Sequence, residues 1–308
     1  MSRILITGSN GLLGLAFRTV QSDFADHDFY FATRDDGDLT NIDQVRSLYR
    51  TSRPDYVIHA AAKVGGIGLN RCCPAELFYE NILMNSHMIH CSYEFKVKKI
   101  VCYSSVCAFP DDAEILREDL QQSGKPFDDN FAYGYAKRMI DIQIKAYRRQ
   151  YSVNYCSIIP TNLYGPNDNF SLNNGHVIAA LIHKCYLAKI SNSDLVIWGD
   201  GSPLREFIYS DDLARLTMAT LKMKEHDKVI VSNNAEISIK DVASIVCDCM
   251  DFDGDIVFDT SKPNGQFRRP SDISRLKCII PNLKFTNHKK GIKQTIDWFL
   301  GNYPNVRT

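Results

Sequence analysis

The sequence predicts an α/β fold, a doubly wound parallel sheet followed by a smaller mixed α/β domain that holds a substrate. Three observations carry that prediction. A short apolar run, Arg3-Ile4-Leu5-Ile6-Thr7, enters a glycine-spaced turn, Gly8-Ser9-Asn10-Gly11-Leu12-Leu13-Gly14, which opens a helix. Strand-like runs then alternate with helical periods through the first half of the chain. One of those strands ends in Ser104-Ser105, and the next helix carries Tyr133-Gly134-Tyr135-Ala136-Lys137.

The first strand, turn and helix form the context that a dinucleotide-binding fingerprint requires. Glycines permit a tight turn and a close backbone approach, and the helix N-terminus offers free N–H groups to a pyrophosphate. The spacing is G-x-x-G-x-x-G, and the fold expected from it is Rossmann-like. A second strand, Phe29-Tyr30-Phe31-Ala32, ends in Thr33-Arg34-Asp35. An acidic residue at that strand end suits a ribose 2′-hydroxyl and an arginine suits a 2′-phosphate, so Arg34 favours NADP over NAD. Asp38 and Leu39 follow within reach of an adenine, although Asp38 is equally suited to making a turn.

The third strand, Tyr56 to His59, runs into Ala60-Ala61-Ala62-Lys63-Val64-Gly65-Gly66-Ile67, small residues that let a loop pass close to a cofactor. His59 lies inside an apolar strand and reads as a hydrogen-bonded core histidine. The stretch from Ala75 to Phe95 has the length of a long helix, with His87 and His90 in structural roles. Lys99 to Tyr103 forms the next strand, and hydroxyls at the C-terminal end of a parallel strand face the ligand crevice. In the helix that follows, Tyr133 and Lys137 are one turn apart on one face. An ammonium there is expected to lower the phenol's pKa, so that the hydroxyl exchanges a proton with a reacting oxygen near neutral pH.

Another strand, Asn154 to Ile159, ends in Pro160-Thr161-Asn162-Leu163-Tyr164-Gly165-Pro166. Beyond it the pattern loosens into a polar loop, a helix from His176 to Lys189, a short strand with Trp198 and a run from Glu206 to Leu213. Short mixed elements follow, among them Lys262-Pro263-Asn264-Gly265. The expected division is a dinucleotide-binding domain over 1–165, with segments such as 204–235 returning to it, and a substrate domain mainly over 166–308.

Composition narrows the function classes. The formal net charge is zero and no basic stripe concentrates along the chain, so the footprint of a nucleic-acid binder is missing. No apolar stretch reaches the length of a membrane span, and Met1-Ser2-Arg3 runs straight into a strand. The ten cysteines are scattered through apolar segments, and neither Cys72-Cys73 nor Cys247-x-Cys249 has partners at zinc-site spacing. A cytoplasmic protein without a metal is the expectation.

The glycine turn, Ser105, the Tyr133/Lys137 pair and the loop after Pro160 together resemble the extended short-chain dehydrogenase/reductase superfamily. Within it the chain resembles the GDP-L-fucose synthase family over essentially its whole length. The most specific stretches are Ala60 to Ile67, Pro160 to Phe170, Gly175-His176-Val177-Ile178 and Trp198-Gly199. The resemblance implies an NADPH-dependent epimerase/reductase that inverts C3 and C5 of GDP-4-keto-6-deoxy-D-mannose and then reduces the C4 ketone. It makes Tyr133 the acid to the C4 oxygen, Ser105 a hydrogen-bond donor to that oxygen and Lys137 a modulator of Tyr133 that holds the nicotinamide ribose. It makes Cys107 and His176 the acid–base pair for the epimerisations. It implies NADP contacts from Gly8 to Gly14, Arg34, Asp38, Leu39, Ala61, Ala62, Tyr103, Ser104, Lys137, Pro160 to Leu163 (Pro160, Thr161, Asn162, Leu163) and His176. It implies contacts to the GDP moiety from Lys184, Trp198, Arg205 and Asn264, the last at a position where the family more often has aspartate. A homodimer pairing the Ala75–Phe95 helix with the helix after Tyr133 is implied as well.

Relatives within the superfamily compete for this reading. A 4,6-dehydratase would show an acidic pair after the Ser-Ser strand end, where this chain has Val106-Cys107-Ala108. A UDP-hexose 4-epimerase needs neither Cys107 nor His176. A dTDP-sugar reductase differs only in its base-binding residues. A silent dinucleotide-binding protein would be expected to lack the tyrosine or the lysine, and both stand here.

Overall fold

A computed structural model of the protein describes all of residues 1–308 except 223, 225, 263, 265 and 266, so two residues of the Lys262-to-Gly265 turn lie outside the described residues. Five strands precede residue 161: β1 (Ser2–Thr7), β2 (His27–Phe31), β3 (Tyr56–His59), β4 (Lys99–Tyr103) and β5 (Cys156–Pro160). Six follow: β6 (Asn162–Tyr164), β7 (Leu195–Trp198), β8 (Leu204–Tyr209), β9 (Lys228–Val231), β10 (Glu236–Ser238) and β11 (Ile256–Asp259). Strands β1 to β5 and β9 make one parallel sheet in the order β2-β1-β3-β4-β5-β9. The chain steps outward from β1 to β2 and then returns to β3 on the other side. That reversal opens a crevice at the C-terminal ends of β1 and β3, where ligands bind in such sheets.

The helices that cover the sheet are α1 (Leu12–Val20), α2 (Ile42–Ser52), α3 (Ile67–Cys72), α4 (Pro74–Glu94) and α5 (Phe131–Tyr151). Further along come α6 (Val177–Ser191), α7 (Ser210–Thr220), α8 (Ile239–Met250), α9 (Ser274–Ile279) and α10 (His288–Asn302). The strand period of two assigns alternate side chains to opposite faces. Ile4 and Ile6 of β1 join Phe17, Leu213 and Leu276 in one core layer under α1, α7 and α9. Leu5, between them, joins Val45, Met88, Ile140 and Ile144 in the layer under α2, α4 and α5. Buried on both sides, these strands are near-continuous apolar runs, as parallel strands are.

A third core lies beyond β5. Ile178, Ile182, Val242, Val246, Ile292 and Phe299 pack α6, α8 and α10 together around Tyr164 and Phe207. Here β6, β8 and β10 form a small mixed sheet, and β7 pairs in parallel with β11. Of the 204–235 stretch, α7 and β9 lie on the large sheet, whereas β8 belongs to the small one. Glu206 on β8, only 3% exposed, ties the parts together, accepting from Ser232 Oγ at 2.8 Å, from Ser271 N at 3.2 Å and from the Ser271 hydroxyl. A buried carboxylate is tolerated because each of these donors replaces a lost water.

The loop after β1 is shaped by contact as well as by turn geometry. A Cβ on Gly14 would fall 2.3 Å from the Gly8 carbonyl oxygen, so only glycine lets the first turn of α1 close against the loop. Gly14→Ala is therefore expected to lower stability by about 1–3 kcal/mol through forced backbone displacement. Urea unfolding monitored by circular dichroism would check this, and an unchanged midpoint would contradict it.

Candidate active site

A single cleft of about 1950 Å³ runs from the β1 loop to β7, and most of the residues singled out above line it. At one end, Gly11 precedes α1 as its N-cap and gives no side-chain hydrogen bond to its first N–H groups, and Gly11 to Gly14 line the cleft. This is the arrangement that holds a phosphate group. Ser9 is less available than the sequence suggests, because its hydroxyl donates to Ala32 O at 2.7 Å and is buried. Asn10 is exposed at the loop tip, and Arg34 is exposed on the cleft wall. Asp38 spends its carboxylate on a turn, accepting from Thr40 N and Oγ1, both at 2.8 Å. His87 fixes Leu39 by hydrogen-bonding its carbonyl at 3.0 Å.

The floor of the crevice is built from β3 and its neighbours. His59 bonds Thr7 Oγ1 at 2.8 Å and Asn85 Oδ1 at 3.1 Å, and burial depresses its pKa to about 3. It is the neutral core histidine that its apolar strand predicts. Asn81 holds the following loop through Lys63 N at 3.2 Å and Lys63 O at 2.9 Å, which fixes Ala61 and Ala62 at the cleft surface. His90 meets the Tyr147 hydroxyl at 2.7 Å, a structural contact between α4 and α5.

The chemistry gathers where β4 ends. Ser105 caps the short 3₁₀ turn Val106–Ala108, its hydroxyl accepting from Cys107 N at 3.1 Å. Helix α5 packs directly on that turn, since a Cβ on Gly134 would lie 2.6 Å from Cys107 O. Tyr133, the adjacent residue, is thereby brought beside Ser105 and Cys107, and the Ser105 hydroxyl pulls the pKa of both side chains down. Lys137, 3% exposed, donates from Nζ to Tyr103 O at 2.9 Å, and its nitrogen lies 5.8 Å from the Tyr133 ring. Ser104 is committed elsewhere: its hydroxyl donates to Lys137 O at 3.2 Å and accepts from the buried Gln121 Nε2 at 2.9 Å.

The electrostatics correct one sequence expectation. The Tyr133 phenol is raised above its ordinary value, first by burial and then by the Cys107 thiol, with only the Ser105 hydrogen bond opposing. Lys137 is not among the causes of that shift, and burial depresses its own pKa to about 8. Burial also raises the Cys107 thiol, against the pull of Ser105 and of the Arg269 charge.

His176 occupies the N-cap of α6, half exposed to the cleft, and its Nδ1 meets Asp168 Oδ1 at 3.1 Å. Asp168 is 2% exposed and also accepts from Asn169 N at 2.7 Å, while its Oδ2 is buried without a partner. This carboxylate holds the imidazolium above its ordinary pKa, with the Arg307 charge opposing. Neither Asp168 nor Arg307 is assigned a role from sequence, yet both line the cleft. Pro160 to Leu163 form its far wall. Thr161 Oγ1 is buried there without a partner, and Asn162 donates to Glu206 O at 2.9 Å.

The opposite end is aromatic and cationic. Trp198 is 55% exposed, with Lys184 Nζ 5.1 Å and Lys262 Nζ 5.9 Å from its ring. Lys184 is not among the residues that line the cleft, whereas Trp198, Arg205 and Asn264 line it. Burial and the neighbouring Arg269 charge depress Arg205, the condition of a guanidinium that gains from an anion. Asn264 Oδ1 accepts from Asp200 N at 2.8 Å. Among the described residues no cluster of His, Cys, Asp and Glu could hold a metal ion, and no helix is long and apolar enough to cross a membrane.

Comparisons with known proteins agree with this geometry. The NAD dependent epimerase/dehydratase family matches residues 4–232. GDP-L-fucose synthase of Dictyostelium discoideum is 41% identical, the alignment covering 99% of this chain and 97% of that protein. The Escherichia coli K12 GDP-L-fucose synthase is 32% identical, over 99% and 98% of the two chains. A crystal structure of a GDP-L-fucose synthetase from Naegleria fowleri bound to NADP superposes with a TM-score of 0.95 at 37% identity, covering 100% of this chain and 95% of that one.

The Asp168–His176 contact predicts a titration. Its stabilisation is complete below the histidine's unfolded pKa and is lost as pH rises through the raised folded value. In Asp168→Asn the His176 imidazole should titrate at lower pH than in the wild type, read from its Hε1 resonance by NMR. An unchanged midpoint would show that the carboxylate does not set it.

Proposed function

The chain belongs to the NAD dependent epimerase/dehydratase family and, within it, to the GDP-L-fucose synthases, and from that premise we propose the reaction it catalyses. It converts GDP-4-keto-6-deoxy-D-mannose to GDP-L-fucose by epimerisation at C3 and C5 and reduction at C4, with NADPH as cofactor. The observation that carries this reading is the convergence of Ser105, Cys107, Tyr133, Lys137 and His176 on one cleft. One end of that cleft suits a dinucleotide and the other a base.

The residues fit NADPH. The uncapped start of α1 suits the pyrophosphate, the exposed Arg34 guanidinium the 2′-phosphate, and the partnerless Thr161 hydroxyl gives a buried polar group to the nicotinamide end. Bound there, NADPH supplies hydride to the C4 carbonyl. Tyr133, which keeps its proton at neutral pH, hands it to the oxygen that gains charge, and Ser105 hydrogen-bonds the same oxygen. Lys137 restores a cation beside that phenolate and reaches the ribose.

C3 and C5 lie α to the ketone, so their protons are acidic, and inversion needs a base on one face and an acid on the other. Cys107 and His176 are this pair. Asp168 orients the imidazole and supports its charged form, as carboxylate partners of working histidines do. Trp198 offers an aromatic face to the guanine, with Asn264 at the same end, and Arg205 offers a cation to the diphosphate. Lys184 acts there through Trp198.

The proposed setting is a cytoplasmic homodimer. Its ten cysteines are all free of disulfides, which suits a reducing compartment. Helices α4 and α5 pack on one another within the chain, and Phe78, Ile142 and Tyr151 remain 38–45% exposed on them, apolar surface that a second copy would cover.

Two variants test the assignment. Tyr133→Phe should reduce C4 reduction by about 10²–10⁴-fold, the usual worth of a positioned acid, with NADPH binding intact by fluorescence titration. Cys107→Ser should impair proton exchange at C3 and C5 and likewise keep NADPH binding. Full exchange in Cys107→Ser would remove the thiol from the acid–base pair.

A further inference from the structure

Cys72 and Cys73 lie outside the cleft lining and take no part in the chemistry proposed above. Cys72 ends α3 and is exposed, and Cys73 is half-buried. Their sulfurs are 3.1 Å apart, closer than any contact that two adjacent side chains need make. The joint between them is a break in the helix. Cys73 sits at φ −130°, ψ 45°, outside the helical region, and Pro74 starts α4 as a new helix.

That joint lies beside the cleft, which Gly65, Ile67, Asn70 and Arg71 line. Arg71, next to the pair, forms a two-pronged bridge to Asp129 at 2.9 and 2.7 Å, reaching the segment that leads into α5 and Tyr133. At the other end of α3, Gly66 N donates to Asn174 O at 3.2 Å, in the loop between Asp168 and His176. Asn70 pins the segment that leads into α3, donating to Gly65 O and Gly66 O, both at 3.0 Å. A torsional change at Cys72-Cys73 is therefore transmitted to the flanks of both catalytic groups.

We propose that Cys72 and Cys73 form a vicinal dithiol that a hydroperoxide oxidises reversibly to a disulfide, and that this oxidation closes down turnover. One thiolate attacks the peroxide oxygen, breaking the O–O bond, and gives a sulfenic acid and water. The neighbouring thiol displaces the second oxygen as another water, so two thiols and one hydrogen peroxide give one disulfide and two waters. Consecutive Cα atoms are about 3.8 Å apart across a trans peptide, below the usual disulfide span, so the closed ring is strained and readily reduced. Strained, exposed disulfides are the labile and regulatory ones. Closure twists the α3–α4 joint, and the Arg71–Asp129 bridge and the Gly66–Asn174 bond loosen with it.

The test is peptide mass mapping of the full-length protein after stoichiometric hydrogen peroxide, alongside NADPH-linked turnover. The expected result is a peptide spanning Cys72 and Cys73 that is two hydrogens lighter and resists alkylation. With it should come loss of most turnover, restored by dithiothreitol, and a Cys72→Ser protein whose turnover resists the same treatment. Phenylarsine oxide, which needs two adjacent thiols, should bind the wild type one-to-one and fail to bind Cys72→Ser. A peptide that keeps both thiols free, or equal reversible inactivation of Cys72→Ser, would overturn the proposal. Oxidation of Cys107 produces that second pattern, and the mass and arsenical readouts need no turnover, so they stand apart from the proposed reaction.

Discussion

The close approach of α5 to the turn at the end of β4 governs the site. Gly134 leaves no side chain between the helix and the Cys107 carbonyl, and a Cβ there would meet that oxygen at 2.6 Å. From this one contact follow the positions of Tyr133 beside Ser105 and Cys107, and of Lys137 under Tyr103 O. Gln121, buried beneath Ser104, locks the same junction from below. Side chains held by strand ends and helix packing in this way need little reorganisation when a substrate arrives.

The same burial that fixes these groups also decides their charge. Desolvation keeps the Tyr133 phenol and the Cys107 thiol protonated and neutral, and it brings the Lys137 pKa down to about 8, which still leaves the ammonium mostly charged at neutral pH. His176 is the exception, because a buried carboxylate partners it and half of its ring meets the cleft. The site thus couples two poorly ionised groups to one imidazole poised to carry charge. Such separated protonation states are what two-sided proton transfer at carbon requires.

Much of this was legible in the sequence. Strand-period apolar runs, the glycine turn and the strand-end serines placed the six-stranded sheet's first five strands and the helix of Tyr133 and Lys137 within a few residues. What sequence could not convey depends on distance in three dimensions. Asp168 reaches His176 across a loop with no fixed spacing, and Arg307 arrives beside it from beyond α10. The direction of the Tyr133 shift follows from burial, which a Tyr-x-x-x-Lys spacing does not reveal. Ser9 and Ser104 carry the right groups, but their hydroxyls are taken up by Ala32 O and by Lys137 O and Gln121. Lys184 matches a family position, and its nitrogen lies 5.1 Å from the Trp198 ring without lining the cleft. The pairing of β8 with β6 and β10, and not with the large sheet, rests on long-range contacts such as those of Glu206.

The measurement that reaches the central claim most directly is NADPH oxidation with GDP-4-keto-6-deoxymannose in D2O, with dTDP-4-keto-6-deoxyglucose as control. The account predicts turnover on the GDP sugar alone, with deuterium at both C3 and C5 of the product. Turnover without deuterium would contradict it, leaving a plain 4-reductase in which Cys107 and the Asp168–His176 pair have no part in proton transfer.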